Sequence, residues 1–90
     1  MTRKNFDGRE YSVYTMQDWE EHGTLAVAVG EVIEPDVFWQ LLNSVPPKRY
    51  GGGVFQVGEP DSWDFDHCCN LYQTFERIEG DYWKYVGLKN

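Results

Sequence analysis

Basic residues are missing from most of this sequence. No Lys or Arg occurs between Arg9 and Lys48 or between Arg49 and Arg77, and those two stretches hold twelve of the fifteen carboxylates. The first carries Glu10, Asp18, Glu20, Glu21, Glu31, Glu34 and Asp36; the second carries Glu59, Asp61, Asp64, Asp66 and Glu76. Eight cations leave a formal net charge of -7, so negative potential should cover much of the folded surface. Such a field repels nucleic acid and phosphate-rich ligands and speeds encounter with basic partners. The expected partner is therefore a basic host protein or nucleoprotein complex, with no direct nucleic-acid binding.

Cysteine is scarce too. Cys68 and Cys69 are the only two and are adjacent, so there is no disulfide framework, which fits a reducing compartment. No stretch approaches the roughly 20 apolar residues of a membrane span. The polar opening, residues 1–8, lacks the apolar run of a secretory signal. The expectation is a cytoplasmic protein of a host cell with no membrane partner. Ninety residues without repeat, linker or low-complexity tract read as one domain, 1–90, with residues 1–9 a flexible lead-in.

What is present is apolar and aromatic. At 41% hydrophobic and 17% aromatic residues the chain has ample material for a core, which sets aside the disordered reading of an acidic sequence. Fifteen rings exceed what so small a core encloses, so most should be interior and a minority should form an exposed patch.

Tyr11, Val13 and Tyr14 suggest a short strand. Residues 14–23 read as a helix, with Thr15 as N-cap, Asp18 as the capping-box acid, Tyr14 and Trp19 at the staple positions and Gly23 closing it. Residues 24–33 alternate large and small side chains and are the candidate central strand. Pro35 opens a second helix with Val37, Phe38, Leu41, Leu42 and Val45 on one stripe, and Pro46 and Pro47 end it. Trp39 falls off that stripe. Residues 48–53 read as a loop, 53–58 as a strand and 58–67 as an acidic loop. A hairpin follows over residues 68–78 and 82–88, turning at Gly80. The expected architecture is α+β: a mostly antiparallel or mixed sheet of four to five strands with two helices on one face.

No catalytic motif stands out. Gly51, Gly52 and Gly53 lack the Lys and following helix of a phosphate loop. Residues 59–69 combine carboxylates, His67 and two thiols, yet their spacing matches neither a calcium loop nor a zinc site. Neighbouring Cys68 and Cys69 on a strand would diverge, and anionic surroundings discourage a reactive thiolate. The chain is therefore expected not to be an enzyme and to need no cofactor, a small metal-dependent enzyme using residues 59–69 being an alternative.

The favoured reading makes residues 59–66 a contact surface. Trp63 and Phe65 interleave with aspartates, an aromatic anchor ringed by negative charge that suits a basic groove. Carboxylates spaced like phosphates can occupy a nucleic-acid channel in place of the nucleic acid. Partner-binding residues are expected at Glu59, Asp61, Trp63, Asp64 and Asp66, with Glu20 and Glu21 as a secondary patch. A further alternative is an accessory or homo-oligomerisation module whose surface aromatics, such as Trp39, build a homodimer.

The pattern Gly30-Glu31-x-Ile33-Glu34, Phe38-Trp39-x-x-Leu42, Pro46-Pro47 and Gly53-x-Phe55-x-x-Gly58-Glu59 resembles a group of uncharacterised proteins carried on proteobacterial plasmids and phages. The resemblance covers about two-thirds of the chain and implies a mobile-element setting. Small acidic proteins of that setting include inhibitors of host defence, anti-CRISPR proteins among them, to which this chain is similar in size and charge. A mobile-element inhibitor of a host nucleic-acid-handling defence complex is the function this implies.

Overall fold

The computed structural model describes residues 2–6, 9–23 and 25–90. The chain is α+β, as its patterning predicts. Its strands are β1 (Thr2–Phe6), β2 (Arg9–Tyr14), β3 (Val32–Ile33), β4 (Pro47–Gly51), β5 (Val54–Val57), β6 (Ser62–Asp64), β7 (Cys69–Arg77) and β8 (Trp83–Lys89); its helices are α1 (Met16–His22) and α2 (Pro35–Ser44). The sheet runs β1-β2-β3-β8-β7-β5-β4, with β6 paired to β7 off that path. All pairings are antiparallel except β2 with β3. Among the described residues no helix is long and apolar enough to cross a membrane.

Both helices form where their end signals stand. Thr15 accepts from the Asp18 N–H at 3.2 Å while the Asp18 carboxylate accepts from the Thr15 N–H at 2.8 Å, closing a capping box that satisfies two otherwise unpaired donors. Gly23 ends α1 in the left-handed conformation, φ 65°. On α2 the apolar stripe buries Val37, Phe38 and Leu41, and Trp39 is left 54% exposed. The helices share one face of the sheet. There Phe38 meets Phe55 and Trp83, and Tyr14, Ile33 and Phe75 complete the core with Met16 and Trp19 of α1 packed against it.

The sheet is larger than the expected four to five strands. Thr2–Phe6, read as part of a lead-in, pairs with β2, and residues 48–51, read as loop, form β4 together with Pro47. Both are edge strands, which need only backbone bonds on one side and so show no strong apolar alternation. Gly52 and Gly53, at φ 60° and 75°, make the two-residue turn from β4 to β5, a conformation open to glycine and costly to other residues. The expected central strand is also revised. Of the described residues 25–33 only Val32 and Ile33 join the sheet as β3, whereas the middle of the order is held by β8. Residues 25–28 keep the predicted alternation, with Leu25 and Val27 packed on the core and Ala26 and Ala28 exposed, but pair with no strand. A turn at Gly30, φ 94°, separates them from β3.

Candidate protein-binding surface

The acidic segment is built as a hairpin rather than a loop. Ser62, Trp63 and Asp64 of β6 stand opposite Leu71, Asn70 and Cys69 of β7, and four residues, Phe65 to Cys68, turn between them. Asp64 makes the turn. Its Oδ1 accepts from the N–H groups of Asp66 (3.0 Å) and His67 (3.2 Å), and its Oδ2 lies 2.7 Å from His67 Nδ1. An aspartate that takes the amides two and three residues on is the local device for reversing a chain. Cys68 completes the turn at φ 52°.

This construction pushes rings outward. Phe65, in the first turn position, is 84% exposed and Trp63 is 44% exposed. Strand alternation places Trp63 with Asn70 and Tyr72 on the face opposite the helices, since Phe75 and hence Gln73 point to the helix side. Glu59, Asp61 and Asp66, close to it in sequence, are exposed, and the Asp61 N–H donates to the Leu71 carbonyl at 2.9 Å, fixing where β6 begins. Asp61 also lies near enough to Tyr85 that its charge, after burial, raises the phenol above its ordinary pKa.

The expected site residues thus divide. Glu59, Asp61, Trp63 and Asp66 are available on the hairpin; Asp64 is half-buried and occupied by the turn. The His67 ring, followed by the two turn amides, holds its carboxyl below the usual range. Glu20 and Glu21 are exposed on α1, which belongs to the helix-covered side, so they do not extend the surface around Trp63. Phe65 belongs in the set. The signal for it was the Asp64-x-x-His67 spacing, which removes the intervening residues from any strand.

Among the described side chains the exposed rings form two groups, not one. Trp39 and Tyr50 stand 6.4 Å apart at 86° to one another, beside a cleft of about 220 Å³ reaching Arg77, Asp81 and Trp83. Tyr50 pairs with Phe55 and so stands level with Phe75, five residues along β7 from the Asn70 that faces Trp63, about 17 Å at the rise of a strand. The cations have a structural place as well: Lys48 and Arg49 sit on edge strand β4, where the Lys48 ammonium lies 4.3 Å over the Tyr72 ring, and Arg3 and Lys4 sit on edge strand β1. Basic residues on open edges oppose pairing with other chains.

The metal alternative over residues 59–69 finds no support in the geometry. Among the described residues the one trio of His, Cys or carboxylate ligand atoms within 4.8 Å of one another is Asp18, Glu21 and His22 on α1, and Asp18 is already engaged in the capping box. Cys68 lies outside β7, its thiol directed to the Phe65 carbonyl at 3.8 Å, and Cys69 Sγ accepts from the Asn90 side chain at 3.4 Å. The thiols diverge, though through a turn rather than through strand alternation. Compared with known proteins, the chain matches no family model, no curated protein and no solved structure.

Proposed function

We propose that the chain is a protein-binding module that presents the β6–β7 hairpin to a basic surface on another protein. The observation that carries this reading is the exposure of Phe65 and Trp63 at 84% and 44% in the same short segment as the exposed carboxylates of Glu59, Asp61 and Asp66, within a stretch free of Lys and Arg. An apolar anchor ringed by like charge fits a groove lined with Lys and Arg, where ring burial supplies affinity and the charges supply steering. Grooves of that kind ordinarily hold nucleic acid. Occupying one would make the module an inhibitor of a nucleic-acid-handling complex, including the defence complexes that the resemblance to mobile-element proteins implies.

The test is capture from host lysate on immobilised protein at low and high salt, with and without excess competing nucleic acid. A partner retained at low salt, released by salt and by nucleic acid, and lost on Phe65→Ala or on Asp61→Lys with Asp66→Lys supports the reading. Capture that ignores those substitutions removes the hairpin from the account. Capture that nucleic acid leaves untouched keeps a binding module but discards inhibition by occupying a nucleic-acid groove.

A further inference from the structure

We propose that residues 25–28 are a docking edge for a second copy of this chain, the two copies pairing antiparallel about a two-fold axis at Ala26. The segment has the alternation of a strand and the burial of a strand, yet no neighbour in the sheet. In extended backbone the N–H and C=O of successive residues point to opposite sides. Those of the even-numbered residues turn toward the chain's own body: the Ala26 N–H reaches the Tyr14 phenolic oxygen, the Ala28 N–H donates to Glu31 Oε1 at 2.7 Å, and the Ala28 carbonyl accepts from the Glu31 N–H at 3.0 Å. Those of Leu25 and Val27 point the other way, and among the described residues they meet no hydrogen-bond partner. A shallow cleft of about 380 Å³, lined by the segment together with Gln73, Phe75 and Tyr85, lies against it.

What sets this edge apart is that nothing guards it. β1 carries Arg3 and Lys4; β4 carries Pro47, Lys48, Arg49 and a register irregularity; β6 is three residues long and ends on Asp64. These are the devices by which sheets refuse an added strand. Leu25 to Val29 has no charge and no proline, its outward residues Ala26 and Ala28 are small, and Val29 is 71% exposed beside them. The Glu31 carboxylate is engaged by the Ala28 N–H on the body side, so residues 25–28 offer a partner strand backbone rather than charge, and the same edge of another copy, uncharged and with only the small Ala26 at the axis, matches it. With Ala26 opposite Ala26, Leu25 pairs with Val27 and Val27 with Leu25, so all four outward backbone groups of each copy are met in an isologous contact.

Sedimentation velocity from micromolar to millimolar protein tests this, alongside hydrogen exchange. The wild type should dimerise reversibly, and more tightly in high salt, because salt screens the repulsion between two chains of net charge -7 while the pairing edge is neutral. That salt response is opposite in sign to capture through the acidic hairpin, so the two readings fail separately. Ala26→Lys should stay monomeric with an unchanged far-ultraviolet circular dichroism spectrum, and Trp39→Ala should dimerise like the wild type. The Leu25 and Val27 amides should exchange more slowly as concentration rises, a readout that does not depend on any variant folding. A wild type monomeric to millimolar concentration, a dimer that survives Ala26→Lys, a dimer abolished by Trp39→Ala, or exchange at Leu25 and Val27 independent of concentration would each overturn the proposal.

Discussion

Phe38 and Trp83 lie face to face, ring centroids 4.2 Å apart and planes 6° from parallel, so one stacked pair joins α2 to the first residue of β8. Phe38 also meets Phe55 edge-on at 5.0 Å and Tyr50 at 5.5 Å. The helix is thereby registered on the strand at the middle of the sheet. Trp83→Ala should cost about 3–5 kcal/mol, since it removes a buried ring and leaves a cavity between helix and sheet. Trp83→Phe, which keeps the stack, should cost clearly less. Urea unfolding of the two variants checks this, and equal costs would show that the stack itself contributes little.

Two glycines separate steric from conformational need. A Cβ on Gly58 would collide with the Pro46 carbonyl oxygen, part of the backbone, which has little freedom to yield. Gly52 has open space around it and φ 60°. Gly58→Ala should therefore destabilise by about 2–3 kcal/mol. Gly52→Ala should cost about 1 kcal/mol, from left-handed backbone alone. Thermal denaturation ranks them, and the reverse order would refute the assignment.

Thr15 and Asp18 cap α1 reciprocally, so Thr15→Ala should lose about 1 kcal/mol. The Thr15 N–H holds the Asp18 carboxyl below its ordinary range. A carboxylate with a lowered folded value contributes stability above its unfolded pKa, about 3.9, and loses it as pH falls through the folded value. Stability should therefore decline below about pH 4. Asp18→Asn should show a smaller decline in the same acid titration of circular dichroism.

Asp64 should govern the shape of the hairpin tip rather than the stability of the whole chain. Asp64→Ala removes the acceptor for the Asp66 and His67 amides, so those two amides should exchange faster while Phe75 and Phe55 in the core stay protected. Its folded pKa is lowered as well, first by the His67 ring. The sign is the same as for Asp18: the turn is held above the unfolded carboxylate pKa and released as pH falls through the folded one. Amide exchange followed by nuclear magnetic resonance across the acid range tests both statements, and unchanged exchange at Asp66 and His67 would remove Asp64 from the turn.

Phe65 makes its large exposed area available without packing in the core, so Phe65→Ala should change stability by no more than about 0.5 kcal/mol. The same substitution should remove partner capture. A loss of several kcal/mol in chemical denaturation would mean that the ring is structural and that its effect on binding is indirect.

Local signals told most where they were self-contained. Thr15, Asp18 and Gly23 bound one helix and Pro35, Pro46 and Pro47 the other, because caps and prolines act within a few residues of backbone. Gly80 marked the β7–β8 turn, and it is in the left-handed region at φ 71°. The misreadings fell on residues 2–6, 25–28, 48–51 and 62–64. Whether such a segment is strand or coil depends on a second segment for its hydrogen bonds; β1, β4 and β6 each take theirs from the next strand along the chain, and residues 25–28 have none, a difference that side-chain pattern alone does not carry.

The sequence by itself determined the two helices, the terminal hairpin, the α+β class and the confinement of cations to a few short runs, since each follows from spacing along one chain. Tertiary structure decided which strands pair, that Asp64 serves the turn while Phe65 and Trp63 project, that Glu20 and Glu21 lie on the covered side, and that Lys48 and Arg49 sit on an edge strand while residues 25–28 pair with no strand. A side chain's exposure is set by what folds against it, and backbone hydrogen bonds in a sheet are made between segments rather than within them.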